Sequence, residues 1–259
     1  MDGIRTLTAE YIFSQCSKSN APTQVGGGGG GGGEGHGEEQ WWCSAVQVSG
    51  GAVDDLLSIA PQDSSVSITL LEDEHGRTHL RGGTWLKVES ASALEEVFRS
   101  ASAARVTKAT GVHDASSRSH LVLRLGRVNG IASDGWVEEG NNTTAAEITL
   151  VDLAGSEWER DQRKHNDADL RREAAQINTS LFTLRHCLAQ RRARSTSGCA
   201  GGTLTKHRES KLTRVLKNIF TDEVNTTVIG TISPGSSDTE HTFDVLGHLH
   251  VCAMGDAAA

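Results

Sequence analysis

An apolar run in the middle of the chain constrains the fold more than any other feature. Residues Ile148–Leu153 read ITLVDL, a composition typical of a strand that is buried on both faces of a sheet. Thr226–Ile232 (TTVIGTI) has the same character and predicts a second buried strand. A sheet of this kind needs helices on both faces, so we expect an α/β fold with a central, mostly parallel sheet.

Helical periodicity flanks these runs. The stretch Asp169–Gln190 places apolar residues three and four apart, and Met1–Gln15 has similar, rougher spacing. Ser90 is a suitable N-cap for a helix that runs to Arg105. Further helices are predicted at 210–220 and 239–251, strands at 42–48, 65–72 and 120–128, and a helical turn at 53–57.

Glycine is concentrated in one place. Residues 24–40 hold ten of the 29 glycines, including the unbroken run Gly26–Gly33. Such a run loses much backbone entropy on ordering, so we expect a flexible surface loop within a domain of residues 1–255, with 256–259 as a tail. A phosphate-binding loop of the form G-x-x-x-x-G-K-[ST] is found neither here nor elsewhere in the chain.

Composition excludes several classes of protein. No window approaches the roughly 20 consecutive apolar residues of a membrane helix, and the start of the chain lacks a signal-peptide pattern. The five cysteines are scattered, odd in number and never form CxxC. We therefore expect reduced thiols in a cytoplasmic type of compartment.

Two short motifs hold residues suited to chemistry, one at the end of the apolar run and one before it. Asp152 and Gly155 form a D-x-x-G arrangement, in which the aspartate can hold a magnesium-bound water and the glycine amide can approach a phosphate. In Ser116–His120 (SSRSH), the hydroxyls can bind magnesium or phosphate oxygens, and Arg118 can pair with a carboxylate such as Glu157. Alone, D-x-x-G occurs by chance in many proteins, and SSRSH alone is more simply interpreted as a polar turn before a strand.

Two further segments complete the pattern: Ile177–Leu181 (INTSL) and His207–Leu216 (HRESKLTRVL). Together and in this order, the four motifs resemble a kinesin motor domain. SSRSH is similar to switch I of that family, and LVDLAGSE (Leu150–Glu157) matches its switch II. The segment Thr227–Leu246 resembles the family's last core strand and final helix. The sequences RESKLT and ISPG favour the kinesin-13 group.

The resemblance implies a P-loop-NTPase-like fold with ATP and Mg²⁺ as cofactors, and it implies a role for each matching residue. Ser116 and Ser117 would face the γ-phosphate and magnesium, Asp152 would position a magnesium water, and Gly155 would sense the γ-phosphate. Arg118 and Glu157 would form the salt bridge that closes the two switches. The helix from about Asp169 would relay the state of the switches to the microtubule.

The chain also departs from the family pattern. The P-loop and purine-binding segment that would precede Met1–Gln15 are absent, so the motor resembles an N-terminally incomplete one. We therefore expect that residues 1–259 alone neither bind ATP tightly nor hydrolyse it. His113 stands where switch I usually has asparagine, and Gln47–Gly51 replaces the family's E-I-Y-N-E.

The charge is distributed unevenly. The net charge is −8, but residues 158–217 hold 14 Lys/Arg and 6 Asp/Glu, a local net of +8. This segment coincides with the parts that resemble the family's track-binding surface, and tubulin is acidic, so microtubules are the expected partner. The candidate microtubule-binding residues are Arg160, Arg163, Lys164, Arg171, Arg172, Lys206, Arg208, Lys211, Arg214 and Lys217.

Three functions are compatible with these patterns. The first is a microtubule-stimulated motor ATPase on the microtubule cytoskeleton, and the second is a catalytically inactive kinesin-like protein that docks on microtubules. The third, a nucleic-acid binder, is disfavoured because residues 158–217 contain only Trp158 and Phe182 as stacking aromatics.

Overall fold

The computed structural model describes residues 2–19, 40–58, 68–72, 74, 78–107, 118–128, 146–155, 168–197, 206–221 and 224–254. The seven strands are β1 (Gln40–Ser49), β2 (Ala52–Asp55), β3 (Thr69–Glu72), β4 (Thr78–Arg81), β5 (Leu86–Val88), β6 (His120–Val128) and β7 (Ala146–Asp152). The α-helices are α1 (Asp2–Ser19), α2 (Ala91–Thr107), α3 (Ala168–Ser197), α4 (Lys211–Val215) and α5 (Thr239–Met254). Short 3₁₀ turns span Lys206–Glu209, Lys217–Phe220 and Ser236–Asp238.

The main sheet has the order β2-β1-β6-β7, with β5 paired to the beginning of β1. In its registers Ala45 lies opposite Leu123, and Leu123 lies opposite Leu150. All pairings between described strands are antiparallel, so the expectation of a mostly parallel sheet is wrong for this part of the chain. Between β1 and β2 the reason is local, since a two-residue turn returns the chain beside the strand it has just left, whereas a parallel pair needs a long crossover.

Helices cover both faces of the sheet, as an α/β fold requires. Leu121, Leu123 and Leu125 of β6 point towards α1 and α2 and join one hydrophobic core. Val122 points to the other face, where it joins Leu184 of α3 and the α4 region in a second core. The alternation predicted for 120–128 is confirmed, and it gives the sheet two apolar faces.

Local capping signals fix the helix starts. The Ser90 hydroxyl accepts the Ala93 amide at 3.1 Å, as predicted for the start of α2. Ser210 does the same for the amide of Thr213 at the start of α4. The helix predicted at 210–220 is divided into α4 and the 3₁₀ turn Lys217–Phe220.

Three predictions about strands are wrong. The segment 53–57 was expected to be a helical turn, but β2 occupies 52–55, because Gly50 (φ +56°) reverses the chain and pairs β2 with β1. Residues Thr226–Ile232 are largely exposed and form no strand in the described structure. β7 is half-buried, because among the described strands it pairs only with β6. The glycine-rich stretch up to residue 39 and the 256–259 tail lie outside the described residues.

Cys43, Cys187 and Cys252 are free thiols. Burial raises the pKa of Cys43 to about 12 and that of Cys187 to about 11, so both stay protonated at neutral pH. Within the described ranges no helix combines the length and the apolar character that crossing a bilayer requires.

Candidate functional site

The turn that follows β7 is the centre of the candidate site. Asp152 is the last residue of β7, and Gly155 lies three residues later in the same turn. The Asp152 carboxylate is 32% exposed, and its Oδ2 accepts a charge-assisted hydrogen bond from Nη1 of Arg105 at 2.8 Å. The predicted pair Asp152 and Gly155 is therefore placed at a strand end, with one carboxylate oxygen held by an arginine.

Arg105, in the last turn of α2, contacts the candidate site and is not among the residues predicted from the sequence. Its side chain is only 4% exposed, and its Nε donates to the hydroxyl of Ser119 at 3.1 Å while Nη2 donates to the Ser119 carbonyl. One guanidinium thus links α2 to the end of β7 and to Ser119, the residue before β6. No local pattern indicates this role, because its partners are 14 and 47 residues away.

Arg118 pairs with α3 in the described part of the chain. Its Nη1 lies 3.6 Å from Oε2 of Glu173, and its side chain is 13% exposed. Ser116, Ser117 and Glu157 lie outside the described residues, so the predicted bridge between Arg118 and Glu157 stays a prediction. The described contact links Arg118, next to the start of β6, directly to α3.

Asp152 is suited to hold a water of a magnesium ion, but it supplies only part of a nucleotide site. The Asp152 carboxylate lies at a strand end, is partly exposed, and has Oδ1 as a second oxygen besides the Oδ2 held by Arg105. Carboxylate oxygens and magnesium-bound waters are compatible ligands. The sequence holds no P-loop lysine, so the described residues offer a position for the metal's water but no cradle for the phosphates.

His120, the first residue of β6, lies between the turn and α3. Its Nδ1 accepts the backbone N–H of Ala154 at 3.0 Å, and its Nε2 lies 2.7 Å from the hydroxyl of Ser180. Burial is the main reason that its pKa falls to about 4, Arg105 adds to the fall, and Asp152 opposes it. The ring is therefore neutral at physiological pH.

The candidate microtubule-binding residues that the structure describes lie on α3 and on the short helices packed against it. Arg171 and Arg172 are exposed near the start of α3, which packs against both Lys206–Glu209 and α4. Lys206, Lys211 and Arg214 are half-buried on those short helices. Arg160, Arg163 and Lys164 lie outside the described residues.

Two of the predicted cations are engaged by one acid. Glu72 of β3 forms ion pairs with Lys217 and with Arg208, the latter at 3.4 Å. The hydrogen bond from Lys217 is the main reason that the pKa of Glu72 lies below its ordinary value. The Lys217 side chain is only 17% exposed against 70% for Arg208, so Lys217 serves the fold more than an external surface.

A cavity of about 330 Å³ lies behind these helices, between the β1–β2 turn, α3 and α4. Gly50, Gln176, Lys211 and His120 are among its lining residues. A Cβ on Gly50 would lie 2.5 Å from Oε1 of Gln176, but that atom ends a flexible side chain, so the positive φ of Gly50 (+56°) is the stronger reason for glycine in this turn.

Known proteins match this chain over most of its length. A family model of the kinesin motor domain matches residues 1–250. Diatom spindle kinesin-1 of Cylindrotheca fusiformis is 32% identical and covers 68% of this chain, and Kinesin-like protein KIN-13A of Oryza sativa subsp. japonica is 33% identical and covers 79%. The chain spans about a quarter of the length of each of these relatives (26% and 24%).

A solved structure agrees with these matches. KIF14 with ADP, in complex with a microtubule, superposes with a TM-score of 0.72 at 26% identity, and the match covers 97% of this chain and 65% of that one. The diatom kinesin and KIN-13A are almost equally identical to this chain (32% and 33%), so the kinesin-13 assignment stays a prediction. The order of the four motifs and the arrangement around Asp152 thus have the same explanation, which is that this chain belongs to the kinesin motor domain family.

Proposed function

We propose that this chain is the microtubule-docking portion of a kinesin motor, which in the complete protein couples ATP hydrolysis to movement on microtubules or to their depolymerisation. One observation carries the proposal: the described cations of the basic segment lie on α3 and on the short helices packed against it. An acidic partner such as tubulin is attracted to such a surface. The similar KIF14 structure is itself a complex with a microtubule.

The residues around Asp152 suggest how the nucleotide state reaches this surface. Asp152 would orient a water of a bound magnesium ion, while Arg105 holds the carboxylate in place. Magnesium, when bound, neutralises charge on the phosphates. Arg118 contacts Glu173 of α3, so a change near switch I is transmitted to the docking helix without an intervening element.

Two points of organisation belong to the same proposal. Residues 1–255 would form one partial motor domain with 24–40 as an inserted loop and 256–259 as a tail. The site of action would be the microtubule cytoskeleton of the cytoplasm. The second candidate function is a kinesin-like protein that docks on microtubules without turnover, and the observation that favours it is the lack of a P-loop pattern in these residues.

Co-sedimentation with microtubules across a salt series tests the docking surface. Wild-type chain should pellet at low salt and be released as salt rises, because exposed charges are screened within about 10 Å at 0.1 M salt. The double variant Lys211→Glu, Arg214→Glu should weaken binding at least tenfold. Arg99→Glu is the matched control, since Arg99 is an exposed arginine on α2 beyond the other face of the sheet. Binding that ignores salt, or that survives the double reversal, contradicts the proposal.

ATPase measurement separates the two candidate functions. The 259-residue chain should show no microtubule-stimulated hydrolysis, because no lysine-bearing phosphate loop occurs in it. The same chain extended by its upstream coding sequence should hydrolyse ATP if that sequence contains the loop. Turnover by residues 1–259 alone would refute the expectation, and an extended chain that binds but does not turn over would favour the inactive docking protein.

A further inference from the structure

His120 has both ring nitrogens engaged by two different elements. Nδ1 receives the backbone N–H of Ala154, in the turn between Asp152 and Gly155, and Nε2 contacts the hydroxyl of Ser180 in the middle of α3. All three residues are buried. A single side chain therefore bridges the D-x-x-G turn and the long helix.

The hydrogen bonds define the direction of this bridge. A backbone N–H can only donate, so Nδ1 of His120 is the acceptor and the ring proton lies on Nε2. Nε2 then donates to the Ser180 hydroxyl, which in turn donates to the carbonyl of Ile177 at 2.6 Å. The result is one continuous chain of donors, from the Ala154 amide through His120 and Ser180 to the backbone of α3.

This bridge is short and stiff. Hydrogen bonds of 2.7 to 3.0 Å weaken steeply when their partners move apart or lose alignment. His120 is only 2% exposed, although it also lines the cavity between the β1–β2 turn, α3 and α4. A displacement of the turn therefore either moves α3 or breaks a hydrogen bond of the bridge, which costs free energy.

We propose that His120 is a positioning residue that transmits displacements of the turn after β7 to helix α3 through Ser180. This inference rests on the proposed function for its purpose, since the turn would respond to nucleotide and α3 would carry the docking surface. His120 touches neither nucleotide nor microtubule in this role. It acts by holding the spacing between the turn after β7, which would contact the nucleotide, and α3, which would contact the microtubule.

Variants of the bridge separate this role from simple core packing. Ser180→Ala removes the hydroxyl at the α3 end and keeps the helix sequence otherwise intact. Thr179→Ala is the matched control, because the Thr179 hydroxyl is exposed and bonds only within the helix, to the Ala175 carbonyl at 2.8 Å. His120→Asn keeps an acceptor near the position of Nδ1 but is too short to reach Ser180.

Amide hydrogen exchange at Ala154 reports the link in the free chain, without nucleotide or microtubule. Ser180→Ala and His120→Asn should each raise exchange at Ala154 at least tenfold relative to the slowest amides of β6, while Thr179→Ala should leave it within twofold of wild type. Unchanged exchange at Ala154 in Ser180→Ala would overturn the link, and so would an equal rise in Thr179→Ala.

Microtubule binding gives the second readout. Coupling is reciprocal, so docking on α3 should change Ala154 exchange in wild type and in Thr179→Ala but not in Ser180→Ala, while all three bind with affinities within threefold. Docking that changes Ala154 exchange equally in Ser180→Ala would overturn the transmission. Failure of wild type to pellet refutes the docking function instead, and the free-chain exchange then still decides whether the bridge exists.

Discussion

Similar apolar sequences are buried in the centre of the sheet but exposed in the C-terminal layer, which consists of residues 226–232 and α5. Leu121, Leu123 and Leu125 of β6 are almost completely enclosed between helices and neighbouring strands. In the layer built from 226–232 and α5, Ile229 is 64% exposed and Phe243 is 68% exposed. Burial therefore depends on how many elements surround a strand-like segment, because β propensity alone does not supply partners.

The two regions are also held by different kinds of contact. The centre combines two hydrophobic cores with the buried polar links of Arg105 and His120. The C-terminal layer is attached mainly through α3, which packs against α5 and whose Arg191 donates to the Thr226 hydroxyl and the Val224 carbonyl. We expect most of the free energy of unfolding to reside in the centre, and the predictions below test this.

Truncating one phenylalanine in each region should give the largest contrast. Phe220 is completely buried in the second core, so Phe220→Ala should cost about 3–5 kcal/mol of unfolding free energy through lost burial and a cavity. Phe243→Ala should change it by no more than about 0.5 kcal/mol, because that ring is mostly solvated. Urea unfolding measures both. Equal losses would mean that the exposed layer is packed in solution and the comparison fails.

Removing the buried guanidinium should have the next largest effect at neutral pH. Arg105→Ala leaves the buried Ser119 hydroxyl and carbonyl without a charged donor, while the 32% exposed Asp152 carboxylate can be solvated, so we expect a loss of about 2 to 3 kcal/mol. Arg99→Ala on the same helix is the control, since its pair with Glu96 is exposed and is worth less than about 1 kcal/mol. Similar losses in both variants would show that the Arg105–Asp152 pair stabilises the fold no more than the exposed Arg99–Glu96 pair does.

Sequence reasoning succeeded where the cause is local or periodic. The Ser90 cap, the alternation along β6 and the spacing along α3 each depend on residues within a few positions of one another. It failed where long-range pairing decides, as for the antiparallel sheet, the exposed segment 226–232 and the half-buried β7. In the site, motif order placed Asp152 and Gly155, but the Arg105 and Ser180 contacts join residues 47 and 60 positions apart.

Acid should weaken the centre through His120. Its pKa in the folded chain is about 4, below its ordinary value of 6.5, so the neutral ring stabilises the fold above pH 6.5 and this contribution is lost as pH falls towards 4. At pH 4 the loss should approach about 3 kcal/mol relative to pH 7. Comparing the pH dependence of the free energy of unfolding in wild type and in His120→Gln separates the contribution of His120 from that of the titrating carboxylates. Identical pH dependence would contradict the assignment.

The smallest expected effect tests how the C-terminal layer is packed. A Cβ on Gly230 would lie 2.5 Å from Cδ1 of Leu249 and 2.8 Å from Cγ1 of Val245, both on α5. Leu249 can move its terminal methyl group, whereas Val245 is stiff at χ1, so in this partly exposed layer Gly230→Ala should cost about 1–2 kcal/mol. Gly247→Ala is the opposite control, because it lies within α5 with open space around it and should stabilise the helix by about 0.5–1 kcal/mol. Amide exchange in α5 should rise in the first variant and fall in the second. If Gly230→Ala leaves that exchange unchanged, residues 226–232 do not pack against α5. The C-terminal layer then contributes even less to the free energy of unfolding than we expect.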